Sequence, residues 1–108
     1  MASTDIYQNP GPARTEIDAL PGATLLEFGT GWCGHCQAAQ PLIGQALQGR
    51  DGVRHIKVED GSGRPLGRSF RVKLWPTLVF LKDGQEVARL VRPQGAAAIT
   101  EALAALGA

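Results

Sequence analysis

The stretch Leu25-Leu26-Glu27-Phe28-Gly29-Thr30-Gly31-Trp32-Cys33-Gly34-His35-Cys36 decides how this chain folds. Leu25 to Phe28 form a short run bounded by Gly22 and Gly29, the pattern of a buried strand. Beyond it, Cys36, Ala39, Ile43 and Leu47 recur at helical spacing, which predicts a core-facing helix ending near Gly49. Pro41 lies inside that helix, removes one intrahelical donor and is expected to kink it. The two cysteines therefore sit where a buried strand turns over into a helix.

On the amino-terminal side, Ala13, Ile17 and Leu20 have helical spacing, stopped by Pro21-Gly22. Residues 1–12 are polar and turn-rich and read as a flexible or weakly ordered segment, with at most a frayed strand around Asp5 to Gln8. On the carboxyl side, Val53 to Glu59 reads as a strand with Ile56 and Val58 on one face and His55 and Lys57 on the other. A Gly- and Ser-rich loop from Asp60 to Pro65 follows, then a short polar helix near Leu66 to Phe70. Thr77 to Leu81 is the continuous apolar β-run of a central strand. Asp83-Gly84 predicts a hairpin turn, with Glu86 to Val91 as the return strand. Ile99, Leu103 and Leu106 mark a last helix, opened after Pro93-Gln94-Gly95. Parallel units early and a hairpin late predict an α/β fold over residues 13–108, a mixed central sheet flanked by helices on both faces.

A chain of 108 residues has room for one domain. With 44% hydrophobic and 19% charged residues it has a globular profile. A net charge of +1 offers no field to hold nucleic acid or an anionic membrane, which excludes both as primary partners. The longest apolar stretch, Leu78 to Leu81, is far short of the about 20 residues that cross a bilayer. Asp5, Pro10, Pro12, Arg14, Glu16 and Asp18 leave no apolar signal region at the amino terminus, so a cytoplasmic location is expected.

Cys33 and Cys36 are the only cysteines. A bridge between them would close so small a loop that it removes little unfolded-state entropy, so stability is not its purpose. Residues three apart on one helical face can form a disulfide. Cys33 stands at the helix N-terminus, where free N–H groups and the dipole favour an anion, so its thiol is expected to ionise more readily than a free one. Cys36, one turn in and facing the core, is expected to stay a thiol. That asymmetry predicts thiol–disulfide exchange: Cys33 attacks a substrate disulfide and Cys36 resolves the mixed intermediate, leaving a redox disulfide between them. Gly34 keeps the backbone open to a partner chain, and His35 is expected to stabilise the Cys33 thiolate and so raise the reduction potential. Zinc would want four ligands where only His35 and His55 remain, and haem attachment would want His where Gln37 stands; no metal and no cofactor are expected. His55 reads as a surface residue without a role.

Leu25 to Phe28, Trp32-Cys33-Gly34-His35-Cys36, Pro41, Trp75-Pro76-Thr77 and Lys82-Asp83-Gly84 together resemble the thioredoxin family, in order and at family spacing, from about Ala13 to the carboxyl terminus. The resemblance implies a thioredoxin fold and a cis Pro76 packed against the cysteine pair, with the Trp75 backbone pairing with a substrate strand. It also implies that Cys33 is the nucleophile, that Cys36 resolves, and that Glu27 is a buried acid beneath them. Desolvated there, Glu27 is expected to have a raised pKa and to accept the Cys36 proton. Lys57 reads either as the lysine beside that acid or as a solvated strand residue. Trp32 is expected at the substrate surface, and Trp75 reads either as part of that hydrophobic rim or as core filler. The chain departs from the family at several positions. His35 replaces the proline of reducing members and resembles the disulfide isomerases; Glu27 replaces Asp; Gly29 stands where many members carry tryptophan. Trp75 replaces a smaller aliphatic residue, and Arg92-Pro93 occupies a stretch where a glycine often lines the groove.

The leading expectation is a thiol–disulfide oxidoreductase, a monomeric cytosolic reductase of protein disulfides fed by an external reductase. The rival is a non-catalytic thioredoxin-like binding module or redox sensor that holds a partner through Trp32 and Trp75. A metal carrier is the third.

Overall fold

The computed structural model describes residues 6–107. Eight elements follow in order: α1 Arg14–Asp18, β1 Ala23–Gly29, α2 Gly34–Leu47, β2 Val53–Glu59, α3 Pro65–Ser69, β3 Thr77–Lys82, β4 Gln85–Val91 and α4 Ala96–Ala105. The strands form one sheet in the order β2-β1-β3-β4, with β1 parallel to β2 and the other two pairs antiparallel. The mixed sheet predicted from parallel units followed by a hairpin is what forms.

Successive residues of β1 point to opposite faces, and each face has its own core. Leu25 joins Leu78 and Phe80 beneath Ile43 and Leu47 of α2 and Ile99 and Leu103 of α4. Leu26 and Phe28 join Val79 and Leu81 beneath Ile17 of α1, Leu66 of α3 and Phe70. β1 is buried along its whole length because helices cover both sides. The hairpin turn carries φ of 50° at Asp83 and 80° at Gly84, the paired left-handed conformation that suits the twist of the two strands.

β2 is an edge strand, and its carboxyl end does not stay bare. Gln8 donates to the carbonyl of Lys57 at 2.8 Å and accepts from the amide of Glu59 at 3.0 Å, a single parallel bridge. Of the strand expected around Asp5 to Gln8, this bridge is what the structure contains; Asp5 lies outside the described residues. The bridge sets Tyr7 beside the carboxyl ends of β1 and β2.

Candidate active site

β1 ends at Gly29, and Cys33 follows as the N-cap of α2 in an extended conformation. Its Sγ accepts a hydrogen bond from the amide of Cys36 at 3.2 Å, so the sulfur is held against the free N–H groups that open the helix. Both thiols are free, Cys33 at 8% exposure and Cys36 at 1%. Burial, reinforced by the neighbouring Cys33 thiol, pushes the Cys36 pKa up to about 12.

Trp32 is 76% exposed and meets half-buried Trp75 edge-on, their ring centroids 5.7 Å apart. The Trp75 indole donates to Asp60 at 2.8 Å. The Trp75–Pro76 peptide is cis, and Pro76 is buried. The Trp75 carbonyl, the group that the family resemblance pairs with a substrate strand, accepts a 2.8 Å bond from Nε of Arg92. Gly34 and His35 lie exposed in the first turn of α2, and a Cβ at Gly34 would meet nothing within 4 Å. His35 borders an indentation shared with Leu42, Arg92 and Pro93.

Under the cysteines lies a polar network built by strand register. Leu25, Glu27, His55 and Lys57 share one sheet face, because Leu25 pairs with His55 and Glu27 with Lys57 across β1 and β2. Gln40, one turn beyond Cys36 on α2, comes down onto that face. Glu27 is wholly buried. Its Oε1 lies 2.9 Å from Nε2 of His55, and its Oε2 accepts from the Tyr7 hydroxyl at 2.7 Å and from the Gln40 carboxamide at 2.8 Å. The Gln40 carbonyl in turn accepts from Lys57 Nζ at 2.9 Å, and the ammonium also stands 4.4 Å from the centre of the Tyr7 ring.

Three expectations change here. Glu27 does not have a raised pKa. Burial pushes it up, but the hydrogen bonds from His55, Gln40 and Tyr7 outweigh burial and hold the carboxyl below its ordinary value. His55 is no surface residue: its side chain is fully buried against Glu27. Lys57 is not solvated but 2% exposed, linked to Glu27 through Gln40 rather than directly. The cause is shared. The polar-looking face of β2 is roofed by α2 and by the segment through Tyr7, and there Glu27, Lys57 and Nε2 of His55 find hydrogen-bond partners.

Sequence reasoning missed Tyr7, Gln40 and His55. Gln40 stands four residues after Cys36 on the same helical face, and His55 shares strand parity with Lys57, so both carried a signal. Tyr7 carried none, being fixed by one long-range bridge. Among the described residues no three His, Cys, Asp or Glu side chains cluster as metal ligands, and no helix is long and apolar enough to cross a membrane.

A family model described as Thioredoxin matches residues 13–105. The thioredoxin of Mycobacterium tuberculosis strain H37Rv is 32% identical over 90 residues, covering 82% of this chain and 78% of that protein. Thioredoxin Asp f 28 of Aspergillus fumigatus is 31% identical over 70 residues, 65% of each chain. Among solved structures, the reduced form of thioredoxin 2 from Pseudomonas aeruginosa PAO1 superimposes with a TM-score of 0.83 at 61% identity, covering 93% of both chains.

Proposed function

The chain belongs to the thioredoxin family of thiol–disulfide oxidoreductases, and from that premise we propose that it reduces disulfides in protein substrates, with Cys33 attacking and Cys36 resolving. The observation that carries this reading is the placement of the pair: one sulfur caps α2 beneath an exposed tryptophan, and the other is buried one turn further in. The Cys33 thiolate attacks one sulfur of the substrate disulfide and the first substrate thiolate departs. Cys36 then gives its proton to water and attacks Cys33 in the mixed disulfide as the thiolate. The Cys33–Cys36 bond forms, the bond from Cys33 to substrate breaks, and the second substrate thiolate leaves and takes a proton from water. Two electrons pass from the dithiol to the substrate.

Trp32, Gly34, Trp75 and Pro76 form the substrate surface in this reading, with Trp32 and Trp75 as an aromatic rim and Gly34 leaving the backbone open. His35 tunes the Cys33 thiolate from the first turn. Glu27 anchors the network below. A carboxyl held below its ordinary pKa is a weak base, so direct transfer of the Cys36 proton to Glu27 is set aside in favour of this anchoring role. Lys57 acts through Gln40.

The reading extends to a monomer in the reducing cytosol, returned to the dithiol by an external reductase. Both of its cysteines are committed to the exchanging pair, which leaves none for the structural bridges typical of small secreted domains.

The alternative, a binding module that uses the same Trp32–Trp75 rim without turnover, makes the opposite prediction in one assay. Insulin reduction with dithiothreitol as electron source proceeds in the wild-type chain and is lost in Cys33→Ser. Absence of turnover in the wild type favours the module.

A further inference from the structure

Tyr7, from outside the cysteine motif, reaches the resolving sulfur. Its hydroxyl donates to Glu27 Oε2 at 2.7 Å, and the same oxygen and the Cys36 sulfur flank one point beside Gly29. The space it uses exists because residue 29 has no side chain. A Cβ on Gly29 would stand 2.6 Å from Cys36 Sγ and 3.0 Å from the Tyr7 oxygen, too close to both. Gly29 and Tyr7 therefore act as one arrangement: the missing side chain on the strand makes room for a phenol entering from the amino-terminal segment. Burial and the adjacent Glu27 carboxylate keep that phenol protonated. Tyr7, Thr30, Cys36, Gln37, Gln40 and Lys57 also line an indentation of about 160 Å³, large enough for a few water molecules beside the thiol.

We propose that the Tyr7 hydroxyl is a catalytic group of the resolving step, a donor that turns from Glu27 to the Cys36 sulfur as negative charge forms there. The Cys36 proton passes to water in the indentation, and the thiolate left behind accepts the Tyr7 O–H. Glu27 keeps its bonds from Gln40 and His55 and so tolerates the loan. The thiolate then attacks Cys33, closing the Cys33–Cys36 bond and releasing substrate thiolate. Without this donor the Cys36 thiolate forms less readily, and resolution is expected to slow about tenfold.

The inference rests on the oxidoreductase reading, and a two-step assay separates them. The reduced chain is mixed in stopped flow with an aromatic disulfide whose thiolate product is coloured. The first release of colour reports attack by Cys33 and the second reports resolution by Cys36. In Tyr7→Phe the first phase is expected to be unchanged and the second about tenfold slower or more. Because Tyr7 is the only tyrosine in the chain, biosynthetic fluorotyrosine alters this hydroxyl alone. More acidic fluorotyrosines are better donors and should speed the second phase progressively, a dependence that a purely structural role would not produce. No first phase in the wild type overturns the oxidoreductase reading. A normal first phase with a second phase indifferent to Tyr7→Phe and to fluorination overturns the role of Tyr7 alone.

Discussion

Nε2 of His55 lies 2.9 Å from Oε1 of Glu27, and both side chains are sealed from solvent. A buried carboxylate is tolerated only with its hydrogen bonds complete, and His55 supplies one of the three it receives. His55→Ala should therefore destabilise the fold by about 3 kcal/mol, read as a fall in denaturation midpoint at unchanged slope. A loss within about 0.5 kcal/mol, typical of surface sites, would show that the pair is not what holds Glu27.

The same carboxylate sets a pH dependence. Its pKa in the fold lies below the ordinary value. The stability contributed by its ionised form is thus fully present above the ordinary carboxylate pKa, and it is lost as pH falls through the lowered one. Between about pH 5 and pH 2 the melting temperature of the wild type should fall more steeply than that of Glu27→Gln, which has no proton to take up there. Parallel slopes would remove Glu27 from the acid transition.

Gly29→Ala should cost both stability and resolution. The added methyl must push back the Cys36 sulfur or the Tyr7 ring in a close-packed site, a strain of about 1–3 kcal/mol. Thermal melts and the second phase of disulfide exchange should both report it. A fully stable Gly29→Ala chain with normal resolution would mean that the space is not needed.

Arg92 holds a left-handed φ of 50° while its Nε occupies the Trp75 carbonyl. If a substrate strand pairs with Trp75, that bond must first be displaced. Arg92→Gly relieves the backbone strain, about 1 kcal/mol, and frees the carbonyl. The expected outcome is a lower KM for insulin with little change in kcat and no loss of stability. A raised KM would instead make Arg92 a substrate-binding residue.

His35 sits in the first turn of α2, where proline is tolerated. His35→Pro removes a donor that favours the charged reduced form, so it should lower the reduction potential by about 30 mV or more, measured against glutathione. An unchanged potential would mean that the histidine does not tune the pair.

The parts of this fold governed by period were legible from the chain alone. The apolar stripe of Ala39, Ile43 and Leu47, the run from Thr77 to Leu81 and the Asp83-Gly84 turn each announce their element, and these positions are buried or, at the turn, left-handed as their patterns require. The cysteine pair was legible because a strand leads directly into its helix. The polar floor beneath it was not. Periodicity says that His55 and Lys57 share a face, but not that α2 will cover that face, and a polar side is assumed to meet water unless something roofs it. The direction of the Glu27 shift depended on counting donors that arrive from three separate places: Tyr7, Gln40 and His55. Burial alone predicts the opposite sign.

Covalent trapping tests the assignment of the two sulfurs most directly. The Cys36→Ser and Cys33→Ser chains are each mixed with a disulfide-bonded protein at neutral pH, and the adducts are mapped by mass spectrometry. Cys36→Ser should capture the substrate as a stable mixed disulfide through Cys33, and Cys33→Ser should capture almost none. Equal capture by both chains, or capture through Cys36 alone, would contradict a pair in which the capping sulfur attacks and the buried one resolves.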